Sequence, residues 1–161
     1  MGEIGEIVTG NTPPTSDSEN YEKNGLLWVT PTDINESIVT CTQKQLSEKG
    51  KKLARVLPPN SLLITCIASI GKNALLTTWG SCNQQINALI PRQEFNSYFL
   101  LANAELWVKP MKIIAGSGGM SIINKTQFSK IITLIPSLQE QQKIGSFFAQ
   151  LDLYITIHQR K

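Results

Sequence analysis

A chain of 161 residues with 41% hydrophobic content is long enough for one domain with a real core and too apolar for a disordered tail. No apolar run reaches the roughly 20 residues of a membrane span, and the opening "MGEIGEIVTG" lacks the basic start and long apolar segment of a secretory leader, so no membrane partner is expected. With 15 Lys+Arg against 12 Asp+Glu the net charge is +3, which permits nucleic-acid binding without arguing for it.

The stretch 11–25, "NTPPTSDSENYEKNG", carries two prolines and turn-forming side chains and reads as loop. "LLWVT" (26–30) reads as a short strand, and "PTDINES" (31–37) as a turn. "TQKQLSEKGKKLA" (42–54) suits a short polar helix closed at Gly50. After "LPPN" (57–60), "SLLITCIA" (61–68) reads as a buried strand. "SIGKN" (69–73) is a tight connection, "ALLTTW" (74–79) the returning strand, and "QINALIP" (85–91) a further strand. Residues 97–115 take helical spacing through Tyr98, Leu101, Glu105 and Val108, with Ser97 as a candidate cap and Pro110 as a kink or split. "GSGGMS" (116–121) reads as a loop, "TQFSKI" (126–131) as a helical turn and "IITLI" (131–135) as a last strand closed by Pro136. Trp28, Ile86 and Leu134 are expected in the core. The fold class is α+β: a mixed α/β body with a β-rich centre, residues 1–136, followed by a C-terminal helix in residues 137–161.

That final helix carries Ile144, Phe147, Phe148, Leu151, Tyr154 and Ile155. Ile144, Leu151 and His158 share one heptad position, Phe147 and Tyr154 another, while Phe148 and Ile155 widen the stripe. The polar run Gln139–Lys143 precedes the stripe and reads as an entry turn that lifts the helix from the body. Packing on its own domain is the plainer fate of a terminal helix. A stripe continuing almost to the last residue points instead to a second helix as its partner.

Chemistry-bearing constellations are missing from the pattern. The phosphate-loop spacing G-x-x-x-x-G-K-[ST] fails around Gly71 and Lys72, because Cys66 stands where the first glycine belongs and Asn73 where Ser or Thr belongs. The single His158 has no Ser, Cys or Asp partner nearby in sequence and reads as a surface or interface residue. Cys41, Cys66 and Cys82 are odd in number with no C-x-x-C pair, which argues against disulfides or zinc and for a reduced, cytoplasmic protein. Asp33 and Glu36 share one loop, as a solvated turn explains. No catalytic residue, metal site or cofactor of the chain's own is expected.

What remains is chemistry suited to reading nucleic acid. Loops rich in Thr, Ser, Asn and Lys punctuate the β-rich part, and such side chains bond base edges or phosphates. From them Thr32, Asn35, Ser69, Lys72, Asn73, Ser117 and Asn124 are candidate DNA contacts. Lys49, Lys51, Lys52 and Arg55 form a basic cluster suited to phosphates or, more plainly, to a solvated face.

Taken in order, "GEIVTGNTPPT" (5–15), "LLWVTPTDI" (26–34), "LPPNSLLITCIASIGKNALL" (57–76), "NQQINAL" (83–89) and "IPSLQEQQKIGSFFAQLD" (135–152) resemble one half of the specificity subunit of Type I restriction–modification systems. The last segment is the most specific. The resemblance implies a target recognition domain followed by a spacer helix, the unit that usually occurs twice in one chain with the two helices antiparallel. It implies a non-catalytic subunit that reads half of a bipartite site on double-stranded DNA. Its implied partners are methyltransferase subunits, which bind S-adenosylmethionine and modify adenine, and a restriction-translocase subunit. This sequence holds one recognition domain and part of the helix, as in a half-length subunit or a fragment. The helix partner would then be a second copy of the chain, as a homodimer, or a second recognition half. The competing expectation is a protein-interaction module or decoy that binds methyltransferase subunits without reading DNA.

Overall fold

The run "SLLIT" forms β5 (Ser61–Thr65) in a computed structural model that describes residues 1–116 and 122–159; all five of its residues are buried. Alternation of side chains along a strand sends Leu62 and Ile64 to one face and Leu63 to the other. Leu62 and Ile64 join a core cluster with helical residues, whereas Leu63 joins a second cluster with residues of another sheet. Both faces are therefore covered, which is why the run is apolar throughout.

The β5 strand lies at the centre of a five-stranded sheet with β1 (Gly5–Thr9), β8 (Ile86–Pro91), β6 (Asn73–Leu76) and β3 (Ile38–Val39), in the order β1-β8-β5-β6-β3. All its pairings are antiparallel except β3 with β6. A three-stranded sheet in the order β4-β2-β7 covers one face, from β2 (Tyr21–Val29), β4 (Gln45–Leu46) and β7 (Gly80–Cys82). Val29, Leu57, Cys82, Leu63, Leu76 and Ala88 fill the space between the sheets. On the other face Ile7, Leu62, Ile64, Leu75 and Leu89 pack against helices α2 (Ser97–Ala102), α3 (Glu105–Ala115) and α4 (Lys125–Ser129) through Phe99, Leu100, Trp107, Met111 and Phe128. The short α1 (Glu48–Leu53) packs beside β2, and α5 (Leu138–Gln159) lies against α2. The class is α+β, with β5 to β8 supplying the β-rich centre.

Several boundaries differ from the sequence expectation. The first tryptophan strand extends back to Tyr21 through polar residues that read as loop. Gly50 sits inside α1, buried against the Asn20 carbonyl, and the helix closes at Ala54 instead. The helical stretch 97–115 breaks at Asn103 and Ala104, while Pro110 is carried within α3; Asn96, not Ser97, caps α2 by accepting from the Phe99 N–H at 2.8 Å.

"IITLI" is no strand but an extended connector: Ile131 faces the core, while Ile132 and Leu134 are 90% and 93% exposed. Leu134 is thus not core. Burial alternates along the segment, and Ile131, Thr133 and Ile135 are the less exposed side chains, not Leu134. Trp28 and Ile86 are buried as expected, and the Trp28 indole N–H donates to the Asn11 carbonyl at 3.1 Å.

The entry turn of α5 does the reverse of lifting it. Gln141 is buried, its amide oxygen accepts from the Asn96 N–H at 3.0 Å, and its amide nitrogen donates to the Pro136 carbonyl at 2.9 Å. A polar side chain docks the helix because it satisfies backbone groups that the junction would otherwise bury unpaired.

Candidate nucleic-acid interface

Strand direction collects the polar loops. The C-terminal ends of β1, β2, β5 and β7 and the N-terminal ends of β6 and β8 lie at one end of the two sheets, as their registers require. Backbone hydrogen bonds tie the emerging segments together. Gly10 N–H donates to Ile86 O at 3.0 Å, Asn11 N–H to Cys82 O at 2.9 Å, and Asn83 N–H to Val29 O at 2.9 Å. Cys66 N–H donates to Gln85 O at 2.8 Å, and Ile123 N–H to Cys66 O at 2.9 Å. The loops after residues 9, 29, 65 and 82, and the segment leading into α4, therefore form one surface.

Each loop has its own brace. Asp33 accepts from the Thr30 N–H at 2.8 Å and hydroxyl at 2.7 Å through one carboxylate oxygen, and from the Gln43 N–H at 2.9 Å through the other. That leaves Thr32 and Asn35 exposed on the loop crest, with the Asn35 amide donating to the Thr32 carbonyl at 2.8 Å. The β5–β6 turn closes around Thr65, whose hydroxyl donates to the Ser69 carbonyl and accepts from the Lys72 N–H at 3.0 Å. Ala68 holds φ of 60° and Gly71 φ of 98°; the left-handed conformation costs an L-residue such as Ala68 about 1 kcal/mol. A side chain at Gly71 would meet Val108 at 2.6 Å, so α3 buttresses the turn directly.

The described site residues expected from sequence fall at this end of the sheets. Thr32, Asn35, Ser69 and Lys72 are exposed there, and the Lys72 ammonium reaches the Pro31 carbonyl at 3.4 Å, bridging two loops. Asn35, Lys72 and Asn73 line one shallow basin with Glu36 and Glu105. Asn73 is half-buried, and its amide donates to the Gly71 carbonyl at 3.1 Å. Asn124 reaches the same end but caps α4, accepting from the Gln127 N–H at 2.9 Å. Ser117 lies outside the described residues.

The basic cluster is less available than its sequence suggests. Lys49 pairs with Asp17 at 2.8 Å and Glu19 at 2.7 Å; those partners raise its pKa, and the same contact lowers that of Asp17. Lys51 pairs with Glu48, and the Arg55 guanidinium is spent on the Thr9 carbonyl.

Sequence reasoning missed Lys109 and Lys112, exposed on α3 beside the turn that Val108 supports. It also missed Gln84, exposed between the sheets' ends and bonded to the Thr12 hydroxyl. The i, i+3 spacing of the lysines was legible, but only the contact of Gly71 with Val108 puts them at the loops. Lys72, Lys109 and Lys112 form none of the ion pairs found among the described residues.

Hydroxyls, carboxamides and ammonium groups on braced loops can donate to and accept from base edges and phosphates. Among the described residues no group of three His, Cys, Asp or Glu is placed to hold a metal ion, and no helix is long and apolar enough to cross a membrane. Burial pushes the Cys66 thiol up to about 11 and the Cys82 thiol up to about 12, so neither is a nucleophile near neutral pH.

A second surface lies on α5. Phe147, Phe148, Leu151, Tyr154 and Ile155 are exposed along one side, with the two phenylalanine rings edge to face at 5.4 Å. Ile144, expected in the same stripe, is half-buried and packs on the body's core. His158 is exposed, its ring nitrogen donating to the Tyr154 carbonyl at 2.8 Å.

A family model described as Type I restriction modification DNA specificity domain matches residues 1–161. Among curated relatives, the Type I restriction enzyme HindI specificity subunit of Haemophilus influenzae is 29% identical over 157 residues, covering 92% of this chain and 34% of that protein. The EcoR124I/EcoR124II specificity subunit of Escherichia coli is 26% identical over 161 residues, covering 94% and 40%. The chain thus spans between 34% and 40% of the length of these relatives. Among solved structures, a chain of a type I R-M system matches with a TM-score of 0.76 at 22% identity, covering 99% of this chain and 38% of that one. The HsdS subunit from Thermoanaerobacter tengcongensis matches with a TM-score of 0.69 at 22% identity, covering 99% and 37%. At such identities the structural likeness establishes the fold.

Proposed function

Because the chain belongs to the family of Type I restriction modification DNA specificity domains, we propose that it is one reading half of a specificity subunit, recognising half of a bipartite site on double-stranded DNA. Residues 1–136 are the recognition body and 137–161 the spacer segment. The observation that carries this reading is the convergence of Thr32, Asn35, Ser69, Lys72 and Gln84 on one end of the sheets, each on a braced loop, with Lys109 and Lys112 alongside. Phosphate contacts from the lysines would place the body, and the hydroxyls and carboxamides would choose the sequence.

In this reading the chain contributes recognition and no catalysis. A methyltransferase subunit supplies S-adenosylmethionine and modifies adenine, and a restriction-translocase subunit joins the complete assembly. The exposed α5 stripe meets a second copy or a second recognition half. Two copies about a twofold axis would read a symmetric, interrupted site.

Methylome sequencing of cells expressing this chain with a Type I methyltransferase subunit tests the proposal. The expected result is a new bipartite methylated motif, symmetric if two copies assemble. Co-purification with the methyltransferase without any motif or DNA shift would refute it.

A further inference from the structure

The face of α5 turned toward the body differs in kind from its apolar stripe. Gln141, Gly145 and Asp152 follow one another along that face at helical spacing. Gln141 is tied to Asn96 and Pro136 as described above. At Gly145 the helices touch: a Cβ there would lie 2.4 Å from the Asn96 side-chain oxygen and 3.0 Å from the Phe99 nitrogen. That oxygen is pinned, because it caps α2 through the Phe99 N–H. About two turns further on, the Tyr98 hydroxyl donates to the Asp152 carboxylate at 2.9 Å. Burial and the neighbouring carboxylate push the Tyr98 phenol up to about 12, so the donor keeps its proton throughout the physiological range.

The contacts at Gln141 and Asp152 are separated by about 16 Å along the helix at 1.5 Å per residue. Two attachments that far apart, with direct helix contact between them, fix a direction as well as a position. We propose that Gly145 and the Tyr98–Asp152 bond are positioning residues that set the angle of α5 to the recognition body, and through it the length of the unread gap between the two half-sites. This inference rests on the DNA-reading function proposed above. The α5 stripe fixes how two arms meet, and the clamp fixes where each arm carries its reader. Gap length is then a property of residues that touch neither DNA nor the partner helix.

The test pairs a distance with a motif. Spin labels at Glu22→Cys and Gln150→Cys, on a Cys41→Ser background, report the body-to-arm distance in the full chain. Methylome sequencing with the methyltransferase subunit reports the gap. Gly145→Ala is expected to shift the distance by several ångström and to change the gap by at least one base pair or spread it over several lengths, with both half-site sequences unchanged. Tyr98→Phe, which leaves the core intact, should shift both in the same sense by less. Asp152→Asn, which keeps an acceptor for the phenol, should retain the wild-type gap.

Unchanged distances, or shifted distances with an unchanged gap in both Gly145→Ala and Tyr98→Phe, overturn the inference. A wild-type chain that directs no bipartite motif refutes the DNA reading itself, a result separate from these, in which the wild-type motif is present.

Discussion

Replacing Leu151 with Glu separates a docking strut from an ordinary surface helix. Leu151 is 41% exposed, between Phe147 at 62% and Tyr154 at 63%. Full burial of a leucine side chain is worth roughly 1.5–3 kcal/mol, so covering the part still open adds about 1 kcal/mol per copy. A twofold pairing counts that loss twice, about 2 kcal/mol. At about 1.4 kcal/mol per tenfold, self-association should weaken by about 30-fold. A carboxylate desolvated in the contact would add to this. Folding of the single chain should hardly respond, because surface substitutions of this kind stay within about 0.5 kcal/mol. Light scattering and sedimentation over a concentration series measure the first effect, and thermal unfolding in dilute solution the second. A wild-type chain that stays monomeric at high concentration and sediments identically to Leu151→Glu would refute the reasoning, as would a Leu151→Glu chain that simply unfolds.

Lys72→Ala distinguishes base from phosphate contact. A base contact should cost roughly 1–3 kcal/mol and relax one position of the motif, whereas a phosphate contact should weaken binding evenly and lower its salt dependence; quantitative binding to a site library reads both, and no change in either removes Lys72 from the interface. Of the three thiols, exposed Cys41 should react promptly with a disulfide reagent at mildly alkaline pH, while Cys66 and Cys82 react only after denaturant is added. Leu63→Ala, a fully buried position between the sheets, should cost about 2–5 kcal/mol in urea unfolding without altering the methylated motif.

Chain segments were legible where one local pattern decided the outcome. The β5–β6 hairpin and β8 declared themselves as apolar runs bounded by Pro, Gly and Asn, because strands covered on both faces must be apolar throughout. The two-residue strands β3 and β4 are shorter than any period, and β2 starts among exposed polar residues that only its pairing with β4 makes a strand. Leu134 illustrates phase: burial alternates along "IITLI" with Ile131 in the core, and nothing in four apolar residues around Thr133 says which parity will face inward. Gln141 illustrates a limit of composition. A glutamine reads as solvated until the backbone groups it must satisfy are in place. The loop residues were readable as chemistry, since hydroxyls and carboxamides stand out, while their convergence was not, because it follows from strand direction and the parallel pairing of β2 with β7. Lys109 and Lys112 became candidates only through the contact beneath Gly71.

Helix α2 links α5 to the sheet that ends in the loop surface, and this constrains how the two surfaces communicate. Tyr98 and Asn96 hold α5, while their neighbours Phe99 and Leu100 sit in the core cluster with Leu62 and Ile64 of β5. That strand ends at Thr65, around which the Ser69–Lys72 turn closes. Between α5 and the loop surface there is thus a short path of packed side chains and hydrogen bonds. Close-packed interiors transmit displacement poorly as bending and well as rigid motion. A force on the arm should therefore turn the loops as one body. Under the proposed DNA reading, half-site sequence and gap length are expected to be separable: substitutions at the loop crests should change which bases are read, and substitutions at the α2–α5 contact should change where the reader stands.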